Sequence, residues 1–541
     1  MKSTMMHYPL TLNHILERAG KLYGPREIVS RMADRSLHRY TYSDFYRRTR
    51  QLAEALQQAG INKGDCVATL MWNSYAHMEC YFGIPAIGAV LHTLNLRLFA
   101  EDIAFIANHA EDRFVIVDDV LLPLFEQFKD KVKFERVFVF SLSGKPIPAG
   151  YESYEELLKT AKGNFHYPEI EENEPCGMCY TSGTTGQPKG VVYSHRSTIL
   201  HAFMSAMPDS GSYQNSDCVL PVVPMFHANA WAIPYICAMV GAKFVFPGPF
   251  LDGESLLELY EKEQVTVSAG VPTIWLGLLQ TLQQNLGKWQ LVPGMRMTVG
   301  GSAVPASLIK AYAELDIELI QGWGMTETSP IATISRLDRN TRKGTPDERA
   351  AAVARQGLIV PFVDIRIMSD EGEAPWDGQT VGEVQVRGPW ITGSYHNLAK
   401  SDESFTSDGW LKTGDVGMIG TDGYLRLTDR AKDLIKSGGE WISSVDLENS
   451  IMGHPAVAEA AVIAIPHPKW DERPLAVVVL KPSQKASADE IREFLLAKYA
   501  KWQVPDGIVF VDAIPRTSTG KFLKTKLRED YKDWKWGISG A

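Results

Sequence analysis

The sequence predicts an α/β protein with a large, multi-subdomain N-terminal domain of mainly parallel sheets, residues 1–430, and a small mobile α+β domain, residues 431–541. Three observations carry this reading. Apolar, β-rich runs alternate with helical patterns along most of the chain, as parallel strands joined by crossover helices require. The last part changes to short strands grouped with capped helices. Between them, Asp415 to Asp422 is punctuated by Gly and Asp and leads into the charged run Asp429-Arg430-Ala431-Lys432-Asp433, which marks a hinge.

Taken in order, Met1 to Glu17 has only Lys2 ahead of a polar, Pro-containing stretch and so lacks the charged-then-apolar pattern of a secretion signal. Asp44 to Gln58 reads as a helix with Phe45, Leu52 and Leu56 on one face and Gly60 just past its end. Strands are expected at Cys66 to Met71, Phe114 to Val117, Arg136 to Phe140 and Lys243 to Phe246. The longest apolar run, Ala230 to Ala242, contains Pro234 and Gly241 and is far shorter than the ~20 residues that cross a bilayer, so no integral membrane segment is expected. Asn340 to Gln356 reads as a surface connection with one short helix. In the last unit, Ser443 with Asp446 starts a helix that Gly453 and Pro455 close, strands follow at Ala458 to Ile465 and Pro474 to Leu480, Ser487 with Glu490 starts another helix, and Gly507 to Val511 is a further strand.

Composition narrows the function. There are 55 Lys and Arg against 64 Asp and Glu, a formal charge of -9, so no global field favours a nucleic acid or an anionic lipid surface. Six sparse cysteines suit a reducing compartment, and the chain is expected to be cytoplasmic. Cys176 and Cys179 have redox or half-zinc-site spacing, yet they lie in an apolar strand-like stretch without a second pair nearby, which makes them buried structural thiols.

The strongest chemical signal is Tyr180-Thr181-Ser182-Gly183-Thr184-Thr185-Gly186-Gln187-Pro188-Lys189-Gly190, placed after an apolar strand. Its glycines let backbone N–H groups turn inward as an anion nest, its hydroxyls add donors, and Lys189 adds charge, so the loop suits a polyphosphate. It lacks the Gly-Lys-Ser/Thr ending of a Walker loop. No Gly-x-Ser-x-Gly elbow and no His-Glu-x-x-His site occurs.

This loop resembles the phosphate loop of the adenylate-forming superfamily of acyl-CoA synthetases, peptide-synthetase adenylation domains and luciferases. The agreement runs in order from about residue 30 to residue 530. Gln321-Gly322-Trp323-Gly324-Met325-Thr326-Glu327-Thr328 is similar to the family's adenine and metal segment, Thr413-Gly414-Asp415 to its ribose turn, Asp429-Arg430 to its hinge, and Pro515 to Lys521 to its C-terminal lysine motif. Pro224 to Trp231 and Lys436 to Ser444 most resemble bacterial medium- or long-chain fatty-acid–CoA ligases.

The resemblance implies ATP, Mg2+ and coenzyme A acting on a small carboxylic acid: acyl-adenylate and pyrophosphate form first, then the CoA thiol displaces AMP. It assigns Lys521 and Thr326 to adenylation, with Thr181, Ser182, Gly183, Thr184, Thr185 and Lys189 on the phosphates. Gly301, Ser302, Ala303, Gln321, Gly322, Trp323, Gly324 and Met325 would receive the nucleotide, Asp415 and Arg430 its ribose, and Glu327 the metal. Trp323 stands where the family usually carries Tyr; an indole stacks as well but cannot reproduce a phenol hydroxyl's contact. Lys436 with Ser437, Gly438, Gly439, Glu440 and Trp441 would serve thioester formation from the opposite face of the small domain, which turns about Lys432 between steps.

The acyl pocket is expected from His227, Trp231, Gly300 and Gly324. Met225 to Trp231 has no acid to meet an amino-acid ammonium, so a hydrocarbon-like acid is favoured. If that segment is helical, His227 and Trp231 share a face and the indole gates a tunnel, or else it floors a short pocket. His227 is open as a base or a gate. Medium- or long-chain fatty acids come first, with short thioether or aryl acids as the alternative. A carrier-protein adenylation enzyme and a non-catalytic nucleotide-binding homologue are the remaining readings. The resemblance also leaves room for a homodimer.

Overall fold

The computed structural model describes residues 1–181, 187–338, 341–398, 403–437, 440–517 and 521–536, the side chain of Glu440 excepted. The large part is a stack of two sheets with a helical layer between them. In the first sheet, Glu27–Arg31, Lys243–Phe246, Cys218–Pro221, Val267–Gly270, Met295–Val299 and Ile317–Gly324 run parallel, with Leu37–Thr41 antiparallel at the edge. The second is parallel apart from its last strand, Gly190–Ser194, which folds back on Pro175–Tyr180.

Helices Leu12–Leu22, Tyr42–Gln58, Tyr75–Gly83 and Ile233–Val240 fill the space between the sheets. Their apolar faces share one core with Phe244 and Val267 of the first sheet and Phe114 and Cys176 of the second. Tyr42–Gln58 shows why such a helix forms here. Thr41 and Asp44 close a capping box at its start, a device worth about 1 kcal/mol, and Phe45, Thr49, Leu52 and Leu56 fall on its buried face. Cys176 and Cys179 are buried free thiols on Pro175–Tyr180, as their apolar surroundings predict.

The parallel reading covers only half of the first sheet. Ile317–Gly324 pairs parallel on one side and antiparallel on the other, with Ile331–Ile334, and from there Gly357–Ile359, Tyr424–Arg430, Leu411–Ile419, Gly382–Arg387 and Asp364–Ser369 continue antiparallel. Two of these pairs, Ile317–Gly324 with Ile331–Ile334 and Leu411–Ile419 with Tyr424–Arg430, are joined by connections of a few residues, too short for the crossover that a parallel neighbour needs. The surface connection does carry one helix, Pro346–Val353.

Residues 435–510 form a five-stranded sheet of their own, with Val457–His467 paired along Asp471–Leu480 and Gly507–Phe510 parallel to the latter. Apolar clusters cover both faces, one around Leu447, Ile491 and Leu495, the other around Ile514 and Leu527, and neither includes a residue before Ile435. Ser443 caps Ser444–Met452 by accepting from the Asp446 N–H, and Ser487 with Glu490 makes the expected capping box.

Candidate active site

Three neighbouring parallel strands end at Pro221, Gly270 and Val299, and the residues that follow them open into a cleft of about 980 Å³. Crevices at the carboxyl ends of parallel strands are where open α/β sheets bind ligands. Val222 and Val223, Val271, and Gly300 to Ala303 form this wall; Gln321 to Glu327, from the strand at which pairing changes sense, form the next. Asp415, Arg430, Lys432 and Lys521 close the cleft from the far side.

Asp415 and Arg430 face each other across the ladder, and the Arg430 guanidinium Nε donates to Asp415 Oδ1 at 2.7 Å. The other oxygen, Oδ2, accepts from the Trp323 indole N–H at 2.9 Å. The indole thus has a polar contact of its own, its N–H reaching the carboxylate directly. Gln321 Oε1 is buried in the same wall without a protein partner, an acceptor that suits an amino group such as that of adenine.

Glu327 is buried, and its Oε1 accepts from the Tyr395 hydroxyl at 2.8 Å. Burial pushes its carboxyl above the usual range, so a cation beside it would restore the charged form. Among the described residues no cluster of three or more His, Cys, Asp or Glu could hold a metal ion by itself. One carboxylate fits Mg2+, which is commonly bound through one or two carboxylates and the substrate's phosphates. The Tyr395 ring also lies under the Lys189 ammonium, 4.5 Å from its centre, while Lys189 donates to Ser404 Oγ at 3.2 Å. No sequence spacing announced Tyr395 or Ser404, because both reach the loop from a distant part of the chain.

The Thr181 N–H donates to the Lys189 carbonyl at 2.9 Å, which brings the two ends of the Gly- and Thr-rich segment together. Ser182, Gly183, Thr184 and Thr185 lie outside the described residues. Thr326 is buried and its carbonyl accepts from Tyr193 at 2.9 Å. Gly324 must lack a side chain: a Cβ there would lie 1.6 Å from the Pro330 carbonyl oxygen.

Lys521 enters from a loop whose stems are paired, Thr517 N–H to Lys521 O at 2.7 Å. Burial and the nearby cations Arg430 and Lys432 push its ammonium down to about 8, against the pull of Asp415 and Glu327. A Cβ on Gly301 would stand 4.0 Å from Lys521 Cε, and one on Gly300 would stand 3.2 Å from the Trp231 ring. Lys521 and the indole thus flank one glycine pair.

His227 and Trp231 do not share a face of a right-handed helix. Ala228 to Ala232 all have positive φ, between 43° and 62°, and form a left-handed turn. That conformation costs an L-residue roughly 1–2 kcal/mol, so the segment is strained at the pocket. Burial, Lys521 and Arg97 push the His227 imidazole down to about 4, leaving it neutral at pH 7.

The cleft does not gather the other predicted face. Lys436 is exposed and pairs across a hairpin with Trp441, which is 58% exposed; the ammonium lies 5.8 Å from the ring centre. Ser437 Oγ accepts from Arg473 at 3.0 Å. Gly438, Gly439 and the side chain of Glu440 lie outside the described residues.

Family models match on both sides of this cleft: "AMP-binding enzyme" over residues 16–396 and "AMP-binding enzyme C-terminal domain" over residues 446–521. The chain belongs to the AMP-binding enzyme family. A long-chain-fatty-acid–CoA ligase of Thermus thermophilus is 48% identical, covering 99% of this chain and 98% of that one. A medium-chain-fatty-acid–CoA ligase of Ectopseudomonas oleovorans is 43% identical over 98% of each. Among solved structures, the anthranilate CoA ligase AuaEII in complex with anthranoyl-AMP aligns with a TM-score of 0.87 at 26% identity, covering 98% of this chain and 99% of that one.

The indole contact has a direct test. Trp323→Phe keeps an aromatic face but removes the N–H, and a hydrogen bond to a charged group is worth about 1.5–3 kcal/mol. The variant should raise KM for ATP on the order of tenfold, measured by ATP-dependent pyrophosphate exchange, and lower the melting temperature, because the buried Asp415 Oδ2 loses its donor.

Proposed function

We propose that this AMP-binding enzyme is an AMP-forming fatty-acid–CoA ligase acting on medium- or long-chain acids through an acyl-adenylate. The observation that carries it is the flanking of Gly300 and Gly301 by the Lys521 ammonium and the Trp231 indole. A carboxylate between them meets a cation on one side while its tail enters apolar surroundings on the other. The full-length identity to fatty-acid–CoA ligases supports the same substrate class.

In adenylation a carboxylate oxygen attacks the α-phosphorus of ATP, the new O–P bond forms and pyrophosphate leaves. Two anions approach each other, so Lys521, Lys189 and Arg430 supply the charge that water would otherwise provide. Glu327 would hold Mg2+, which supplies further neutralisation of the phosphates when bound. Asp415, fixed by Trp323 and Arg430, keeps lone pairs for the ribose hydroxyls.

In the second step the CoA sulfur attacks the acyl carbonyl and AMP departs. For this the small domain turns about Lys432 and brings the Lys436 to Trp441 face to the cleft, while Lys521 leaves. With Lys521 in place His227 is too weakly basic to take a thiol proton. Burial is the larger cause of that weakness and the departure of Lys521 removes only one of the two cations beside it, so the thiol proton passes to His227 or to the phosphate of the departing AMP. We place the enzyme in the cytoplasm; no helix among the described residues is long and apolar enough to cross a membrane. The homodimer that the resemblance allows is tested by the mass of the purified protein in solution; a monomer's mass would overturn it.

The test is a panel of acids scored by CoA- and ATP-dependent AMP release, covering C6 to C18 fatty acids, a short thioether acid and an aryl acid. Fatty acids should lead in kcat/KM, and preference for the thioether or aryl acid would overturn the assignment. In the same panel Trp231→Ala should shift preference towards longer or bulkier acids at nearly constant KM for ATP. A parallel loss for every acid with a lowered melting temperature would make Trp231 a packing residue.

The Lys521 ammonium is the active form and is lost as pH rises through about 8. Adenylation by the free enzyme should therefore fall above that pH in a kcat/KM profile of pyrophosphate exchange. Lys521→Arg, which stays charged, should lower the rate but remove that alkaline limb.

A further inference from the structure

The loop that carries Lys521 runs directly into the helix Lys524–Asp530. Lys524, its first residue, has a side chain only 10% exposed; its ammonium donates to Glu448 Oε1 at 2.7 Å and to Ser444 Oγ at 2.5 Å. The Ser444 hydroxyl passes the chain on, donating to Asp429 Oδ2 at 2.5 Å, and the Ser444 backbone N–H donates to the same oxygen at 2.7 Å. Ser444 begins the helix Ser444–Met452, so Asp429 sits at the positive end of that helix.

These contacts differ in what a rotation about Lys432 does to them. Lys524 with Glu448, and Arg528 Nη1 with Asp433 Oδ1 at 2.6 Å, join groups that both follow Lys432 and travel together. Asp429 with Ser444, Thr428 O with the Ser443 hydroxyl, and Arg426 with Asp446 at 3.0 Å join groups on opposite sides of Lys432. A large turn breaks the second set only. After it Asp429 regains water while Lys524 keeps Glu448, so neither charge is stranded.

We propose that Asp429, Ser444 and Lys524 form a latch that closes only in the pose presenting Lys521 to the cleft, which makes Ser444 and Lys524 positioning residues for adenylation. The inference rests on the two-pose reading given above. The chemical group at work is a carboxylate received by a helix N-terminus and an ammonium through one shared hydroxyl. Burial pushes the Asp429 carboxyl up, and the Ser444 donors with Lys524 pull it back. Asp429, Ser444 and Lys524 are assigned no contact with the substrates, so the latch acts on adenylation through the placement of Lys521.

Two assays on the full chain separate the steps: fatty-acid-dependent pyrophosphate exchange, and conversion of a supplied acyl-adenylate with CoA. Ser444→Ala should lower exchange about tenfold, the worth of one charge-assisted hydrogen bond, and Lys524→Met about a hundredfold. Both should keep thioester formation within about twofold of the parent and leave KM for ATP unchanged, because the loss is one of pose. Lys524→Arg should restore most of the exchange. Equal loss of both half-reactions, or undiminished exchange, overturns the latch. If Lys524→Met melts below the assay temperature, Ser444→Ala decides, since alanine is well tolerated in a helix. Lys521→Ala is the reference: if it spares thioester formation while Ser444→Ala does not split the steps, the latch alone fails. If Lys521→Ala depresses both steps alike, the two-pose reading fails.

Discussion

The ion pair between Asp415 and Arg430 holds the rest of the site in place. It lies on the last rung of an antiparallel ladder, two residues before Lys432. On one side it fixes Trp323 through the indole N–H, and with it the strand whose far edge pairs parallel. On the other, the Asp415 charge opposes the burial and the cations that depress the Lys521 ammonium. One carboxylate therefore holds Trp323 and Arg430 and favours the charged form of Lys521.

The cleft solves a second electrostatic problem with a phenol. Lys189 and Glu327 both line the cleft. Tyr395 stands between, giving its hydroxyl to Glu327 and its face to Lys189. The ammonium keeps a cation–π partner that a phosphate can replace at modest cost. Glu327 stays a buried carboxyl that a cation would draw back to its charged form.

Conformational energy is distributed to match. Residues 435–536 carry their own apolar clusters, separate from those of the large domain. Strain sits in the left-handed turn Ala228 to Ala232, which carries the Trp231 indole to the cleft.

The sequence by itself determined the order of the elements and the polar chemistry of the cleft. Strands such as Arg136–Phe140 and Lys243–Phe246, the helix ending at Gln58 and the caps at Ser443 and Ser487 follow from local patterns, which act over a few residues. Lys189, Glu327, Asp415, Arg430 and Lys521 were legible because each lies in a short ordered motif. Tertiary structure decided what local pattern cannot carry: the change from parallel to antiparallel pairing at Ile317–Gly324, the left-handed hand of the turn at Trp231, and partners such as Tyr395, Ser404 and Lys524. These depend on contacts between residues tens to hundreds of positions apart, and only the packing of the sheets and helices brings such residues within hydrogen-bond reach.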